Sequence, residues 1–159
     1  MENDDINFEE IYSELAKKHG LPEFKSIAED FDIEKIQDKE SILLIREVRR
    51  SISEKISAYI HLFETLINPS SPPMFIFSVL RNISTEDKDT IKKIYKALSR
   101  TQIEVMKLDT VYKEDEEARF INETFIIWQE LKLTIYKLIE RFESSFEEDD
   151  SDKKRSYFG

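Results

Sequence analysis

The sequence predicts an all-α protein: an up-down bundle of three long helices with short amino-terminal helices and a short proline-bounded helix. Apolar residues recur at spacings of three and four along most of the chain, which is the spacing of one helix face. Two glycines and four prolines in 159 residues are too few turn residues for many short strands. Charged residues make up 36% of the chain, a share typical of amphipathic helices with solvated outer faces.

The amino-terminal segment predicts two short helices. Apolar residues at i, i+3, i+4 and i+7 indicate a helix from about Asn7 to Lys18, and Gly20 supplies a left-handed stop. Pro22 suits the first turn of a second helix. That helix turns four apolar residues inward, namely Phe24, Ile27, Ala28 and Phe31. Residues 32–39 fit either helix or loop.

The first long helix is predicted from about Glu40 to Ile67, and it must end before Pro69. One apolar stripe follows it for seven turns, formed by Ile45, Val48, Ile52, Ile56, Tyr59, Phe63 and Leu66. The apolar run that starts at Met74 predicts a short helix, which closes one end of the bundle.

Two further long helices follow. Ser84 and Asp87 imitate a capping box, and this predicts a helix that runs to about Tyr112. Acidic residues from Glu114 suit the first turn of the last long helix, whose apolar stripe runs to Phe146 and includes Phe125 and Trp128. Residues 1–146 are therefore predicted as a single domain. Residues 147–159, acidic and then basic, are predicted as a disordered tail.

The composition also predicts where the protein resides. The chain has no cysteine, so it carries no trace of an oxidising compartment. Its amino terminus is acidic where a secretory signal would be basic and then apolar. No stretch approaches the roughly 18 apolar residues of a membrane span. We expect a soluble, cytoplasmic protein with no membrane association.

The sequence contains no recognisable catalytic motif. There is no Gly-x-Ser-x-Gly motif and no glycine-rich phosphate loop. Metal sites in helical bundles use Glu-x-x-His pairs, but His61 and Glu64 occur in the opposite order and lie off the apolar stripe. We therefore expect no metal ligands. We expect no enzyme activity, no cofactor and no metal. A third hypothesis is an unusual helical enzyme that uses inward-facing carboxylates.

Basic residues supply one candidate surface. Residues 41–113 carry twelve Lys and Arg against eight Asp and Glu, although the whole chain has a net charge of −10. Five of them lie opposite the apolar stripe of the second long helix, and three more lie on the first. These candidate polyanion-binding residues are Arg46, Arg49, Arg50, Lys92, Lys93, Lys96, Arg100 and Lys107. An ordinary solvated face is the competing interpretation.

Apolar residues outside the predicted core supply a second candidate surface. Ile126 and Leu133 lie well away from the stripe of the last helix, and Ile103 and Val111 are similarly displaced on the helix before it. We expect the short amino-terminal helices to cover them, and a partner protein is the alternative. Tyr157 and Phe158 complete the candidate protein interface, because aromatic residues at the end of a flexible tail can dock on a partner.

These observations favour a non-enzymatic interaction module, an adaptor or assembly subunit, over a nucleic-acid-binding protein. Its expected partner is another protein or a second copy of the chain. Nucleic acid is the alternative partner, through the basic residues. Polar positions on the apolar stripes, Thr101 and Lys132, could set helix register or oligomeric state.

Overall fold

Helices account for the regular structure of the part of the chain that the computed structural model describes, residues 7–36 and 42–157. The fold-class prediction is confirmed: three long helices pack together with short amino-terminal helices. Glu40, the predicted start of the first long helix, lies outside the described residues. The elements are α1 (Phe8–His19), α2 (Phe24–Phe31), a 3₁₀ turn (Ile33–Lys35), α3 (Leu44–Ile67), α4 (Met74–Asn82), α5 (Thr85–Thr110) and α6 (Glu114–Tyr157).

Helix ends follow local sequence signals. The Asn7 side chain accepts a hydrogen bond from the backbone N–H of Glu9 at the start of α1. Gly20 ends α1 with φ 64°, as predicted. Pro22 precedes α2 rather than opening it, and its carbonyl oxygen accepts a hydrogen bond of 2.8 Å from the Tyr12 hydroxyl. Ser84 accepts a hydrogen bond from the backbone N–H of Asp87 at the start of α5.

Gly20 allows a direct test of the α1 stop. A Cβ atom added at this position would meet nothing within 4 Å, so replacing glycine there costs only backbone strain. We expect Gly20→Ala to lower the free energy of unfolding by about 1 kcal/mol, measured by urea denaturation. Gly20→Asn should lose less, because asparagine tolerates the left-handed conformation better. Equal stability of the alanine variant and the parent would contradict this assignment.

The chain divides into two compact units, and each long helix contributes to both. The first unit comprises Met1–Ala58 and Arg100–Ile127. In its amino-terminal part the Phe24 ring packs edge-on against Phe8 and Tyr12, at centroid distances of 5.5 and 5.6 Å. Fully or almost fully buried aliphatic residues complete its core, among them Ile27, Ile33, Ile45, Ile52, Ile56 and Ile121.

The second unit comprises Tyr59–Ser99 and Trp128–Gly159. Trp128, the single tryptophan, is 4% exposed, and its ring centroid lies 5.2 Å from that of Tyr59. Buried aliphatic residues from α4, α5 and α6 also belong to the core of this unit, including Val79, Ile91, Ile94 and Leu138. The predicted burial of Trp128 is therefore confirmed.

The last helix continues to Tyr157, whereas the sequence predicted disorder from residue 147. Asp149 supplies a physical reason, because its carboxylate accepts hydrogen bonds from Ser78 (2.7 Å) and Arg81 (3.0 Å) of α4. Within α6, Lys153 lies 3.3 Å from Asp149 and Lys154 lies 3.8 Å from Asp150, both at i,i+4 spacing. These ion pairs offset the repulsion among the acidic residues from 147 onward. That repulsion was the reason for predicting a disordered tail.

Candidate functional site

The most distinctive polar feature is an ion-pair cluster in the first unit, formed by the buried Arg49 and Glu117 with the partly buried Arg46 and the exposed Asp109. Glu117 is completely buried, and its two carboxylate oxygens accept hydrogen bonds from Arg49 (2.7 Å) and Arg46 (3.0 Å). Arg49 is 1% exposed and also donates to Asp109 at 2.7 Å. The cluster therefore joins α3, α5 and α6 within one unit.

Helix geometry explains why two arginines point inward. Arg49 lies four residues after Ile45 and three before Ile52, so it shares the buried face of α3. Glu117 lies in the first turn of α6, where a carboxylate is stabilised by the positive end of the helix dipole. The spacing of Arg49 relative to the apolar stripe could have revealed its burial. The burial of Glu117 could not have been predicted from its position within an acidic run.

The cluster is electrically balanced, with two guanidinium groups against two carboxylates. Burial alone would lower the pKa of Arg49, but its hydrogen bonds to Glu117 and Asp109 outweigh that effect and raise the pKa. Arg46 also donates to the carbonyl oxygen of Leu108 at 2.6 Å and lies over the Tyr112 ring. Each Glu117 oxygen accepts a hydrogen bond from one arginine, so this buried carboxylate links the two guanidinium groups.

A second polar contact anchors α1 in the same unit. The buried ring of His19 lies 2.5 Å from the Glu114 carboxylate and 3.5 Å from that of Asp115, both in the first turn of α6. Lys18 reaches the same Glu114 oxygen at 2.7 Å. Hydrogen bonding from Lys18, followed by that from His19, lowers the pKa of Glu114. His19 is a basic residue of the last turn of α1, and it also contacts the first turn of α6.

The predicted basic surface is divided between the two units. In the first unit Arg46 and Arg49 are held by Glu117, and Arg50 pairs with Glu47 at 2.9 Å. A buried guanidinium cannot meet a polyanion, so Arg49 does not belong to an accessible surface. Arg100 and Lys107 are exposed in that unit, and Lys92, Lys93 and Lys96 are exposed in the second.

The expectation that the amino-terminal helices cover the outlying apolar residues is wrong. Ile126 is 58% exposed in the first unit, and Leu133 is 60% exposed in the second. Ile103 and Val111 are exposed as well. The amino-terminal helices pack instead on each other, through Phe8, Tyr12 and Phe24, and on the first turn of α6. Tyr157 is exposed at the end of α6, and Phe158 lies outside the described residues.

The sequence did not indicate an exposed apolar surface on α4 in the second unit. Ile76 and Val79 are buried, but Met74 is 84% exposed, and Phe75 and Phe77 are also exposed. We call these three residues the α4 surface. The sequence predicted that this apolar run closes one end of the bundle, whereas in the structure Ile76 and Val79 are buried and the α4 surface is not. A helix of nine residues cannot bury six apolar side chains on one side.

Small-molecule sites are less clearly formed. A cleft of about 350 Å³ in the second unit is lined mainly by apolar residues, including Leu66, Leu80 and Ile91, with Lys88 and Lys92 also in its lining. A groove of about 840 Å³ in the first unit is lined by Phe31, Asp32, Lys35, Ile36, Glu47, Arg50, Ser51, Glu54 and Lys55. Within residues 7–36 and 42–157, no three His, Asp or Glu side chains converge to hold a metal ion.

Comparison with known proteins gives no assignment. No protein family, curated protein or solved structure matches this chain significantly. In the described part of the chain, no helix has the length and apolar character that a membrane crossing requires.

Asp149 makes the attachment of α4 sensitive to acid. Hydrogen bonds from Ser78 and then Lys153 lower the pKa of this carboxyl group. A lowered folded-state pKa stabilises the fold above the unfolded value of about 4, and this contribution is lost as the pH falls through the folded value. We therefore expect the amide protection factors of α4 to decrease when the pH is lowered below about 4. Hydrogen exchange measures them.

Asp149→Asn is the matched variant for this experiment. It should show weak α4 protection at neutral pH and little further change on acidification, because the charge on residue 149 is already absent. Amides of α2, which lies in the other unit, serve as the internal reference. Parent-like protection of α4 in the asparagine variant at neutral pH would show that Asp149 does not hold this helix.

Proposed function

We propose that this protein is a non-enzymatic interaction module, an adaptor or assembly subunit, that binds another protein through the α4 surface. The observation that carries the proposal is the exposure of Met74, Phe75 and Phe77 beside the buried Ile76 and Val79 of the same helix. Adjacent exposed apolar residues on a folded protein commonly mark a binding site. Methionine and aromatic side chains are also enriched at protein interfaces.

The attachment of α4 supports this role. Ser78 and Arg81 hold the helix on Asp149 of α6, and the Asn82 side chain donates to the carbonyl oxygen of Ser145. These contacts lie within the second unit and fix the helix through its polar residues. The apolar residues are thereby held ready for a partner, which reduces the entropy cost of ordering them on binding.

Site-specific photo-crosslinking tests the proposal. A photoreactive amino acid at position 75 should capture a defined partner in cells that produce the protein. The same probe at Lys137, an exposed polar position in the second unit, is the matched control. Capture at position 75 should disappear when Met74 and Phe77 are replaced by serine. Identical products at positions 75 and 137, or none at 75, would argue against the α4 surface as a binding site.

Nucleic-acid binding is retained as a second candidate function because Lys92, Lys93 and Lys96 are exposed together on α5. Among the described residues, none forms an ion pair with these three lysines. The candidate predicts an affinity that falls steeply with added salt and is lost in the Lys92→Glu, Lys93→Glu, Lys96→Glu variant. A lack of binding to single- or double-stranded nucleic acid at low salt would remove it.

A further inference from the structure

A regular stripe of exposed residues follows the carboxyl-terminal half of α6 in the second unit. We call it the outer stripe: Tyr136, Ile139, Glu143, Phe146, Asp150, Lys153 and Tyr157. Successive members are separated by three and four residues in strict alternation, and every one of them is exposed. Counting 100° per residue, the stripe lies about 90° around the helix from the side that carries Ile135, Leu138 and Asp149. Most of the stripe is therefore distinct from the face that contacts α4, and Lys153 lies at the border, 3.3 Å from Asp149.

This spacing is the pattern of a two-helix coiled-coil seam. Residues 150–157 are exposed throughout, so no neighbouring element in the described part of the chain covers these last two turns. A helical end of this length is marginal in water on its own. A second helix along the outer stripe would bury Ile139, Phe146 and Tyr157 and stabilise the end of α6.

The charges on the stripe identify the partner and its direction. In a parallel, in-register pair, each stripe residue meets its own copy, so Glu143, Asp150 and Lys153 would each face a like charge. In an antiparallel pair with the twofold axis beside residue 148, Glu143 faces Lys153 of the other copy, and Ile139 faces Tyr157. We propose that the outer stripe is an antiparallel homodimer interface, and that the partner it fits is a second copy of this chain.

Flanking residues agree with this register. Glu140 lies close to Lys154 of the second copy, which gives two further attractive pairs. The two Phe146 side chains lie about 6 Å apart along the axis, at 1.5 Å per residue, and can contact each other. Asp150 faces Phe146 of the second copy and keeps its own contact with Lys154 at 3.8 Å. Glu147 and Asp149 each meet their own copy near the axis, and the four attractive pairs outnumber these two repulsive contacts.

The inference deepens the proposed function by naming one partner, but it uses a different surface from α4. The two ideas can therefore fail separately. A protein that stays monomeric while its α4 surface still captures a partner would remove the dimer alone. A dimer without any capture at position 75 would remove the α4 surface alone.

Charge exchange within the full-length protein tests the dimer. Sedimentation velocity from micromolar to millimolar protein should show reversible dimerisation. Lys153→Glu should weaken it at least about tenfold, because two attractive pairs become repulsive. The double variant Glu143→Lys, Lys153→Glu should restore it, since the exchanged charges again face each other. Lys137→Glu, an exposed lysine off the stripe on the same helix, should have a much smaller effect.

Rescue by the double variant separates the interface from local effects. Lys153→Glu also removes the contact of Lys153 with Asp149, and the double variant lacks that contact as well. Glu143 and Lys153 are ten residues apart on one helix and cannot pair within a single chain. A parent protein that stays monomeric at all concentrations would overturn the proposal. Failure of the double variant to recover dimerisation would overturn it equally.

Discussion

Glu117→Ala should lower the free energy of unfolding by about 3–5 kcal/mol, because it removes the shared partner of two arginines. Arg49 is almost completely buried and would keep only Asp109 as its counterion. An uncompensated buried charge is costly, and total stabilities are only about 5–15 kcal/mol. The loss should therefore be visible as a large shift of the urea midpoint, followed by circular dichroism.

An exposed ion pair on α3 provides the control. Glu47→Ala removes the i,i+3 partner of Arg50, and such a surface pair contributes at most about 1 kcal/mol. Replacing Arg46 and Arg49 by Met together with Glu117 by Leu tests the explanation further. Apolar substitution of a buried pair is often close to neutral, so this variant should recover much of the stability. Equal losses for the Glu117 and Glu47 single variants would show that burial does not amplify the interaction.

Trp128→Ala should cost a similar amount, about 3–5 kcal/mol, in the second unit. The reason is different, because this substitution removes a large buried ring from the contact with Tyr59 and leaves a cavity. Leu133, five residues further along α6, supplies a matched apolar control because it is mostly exposed. Leu133→Ala should change stability by no more than about 0.5 kcal/mol.

A large loss on truncating Leu133 would mean that another element or a second copy covers it in solution. The outer stripe does not include Leu133, so the proposed dimer does not predict such a loss. Thermal and urea unfolding of both variants at low protein concentration measures the two effects without a contribution from association.

Periodicity predicted most of the fold because the core residues of helices repeat regularly. The stripe of α3 from Ile45 to Leu66, the stop at Gly20 and the cap at Ser84 are each encoded within a few neighbouring residues. The end of α6 was predicted less well, because the contact between Asp149 and Ser78 joins residues 71 positions apart. No local pattern reports a pairing of that kind.

The candidate surfaces show the same limit. Angular positions on the helix correctly placed Ile126 and Leu133 outside the core. They could not show whether another segment of the chain covers these residues. The basic residues of α3 were assigned to a surface by charge alone, and Arg49 shows why that fails. A guanidinium on the apolar face is buried when a distant carboxylate, here Glu117, is brought to it by the fold.

The order of the segments in the first unit affects how the chain emerges during synthesis. Residues up to Ala58 belong with Arg100–Ile127, and the intervening stretch goes to the second unit. At translation rates of about 5–20 residues per second, the early segment waits roughly 2–8 s before the first residue of its companion segment is even made. Throughout that interval Arg46 and Arg49 have no Glu117 to bind. The nascent amino-terminal half must therefore stay soluble, or be shielded by a chaperone, until most of the protein has been translated.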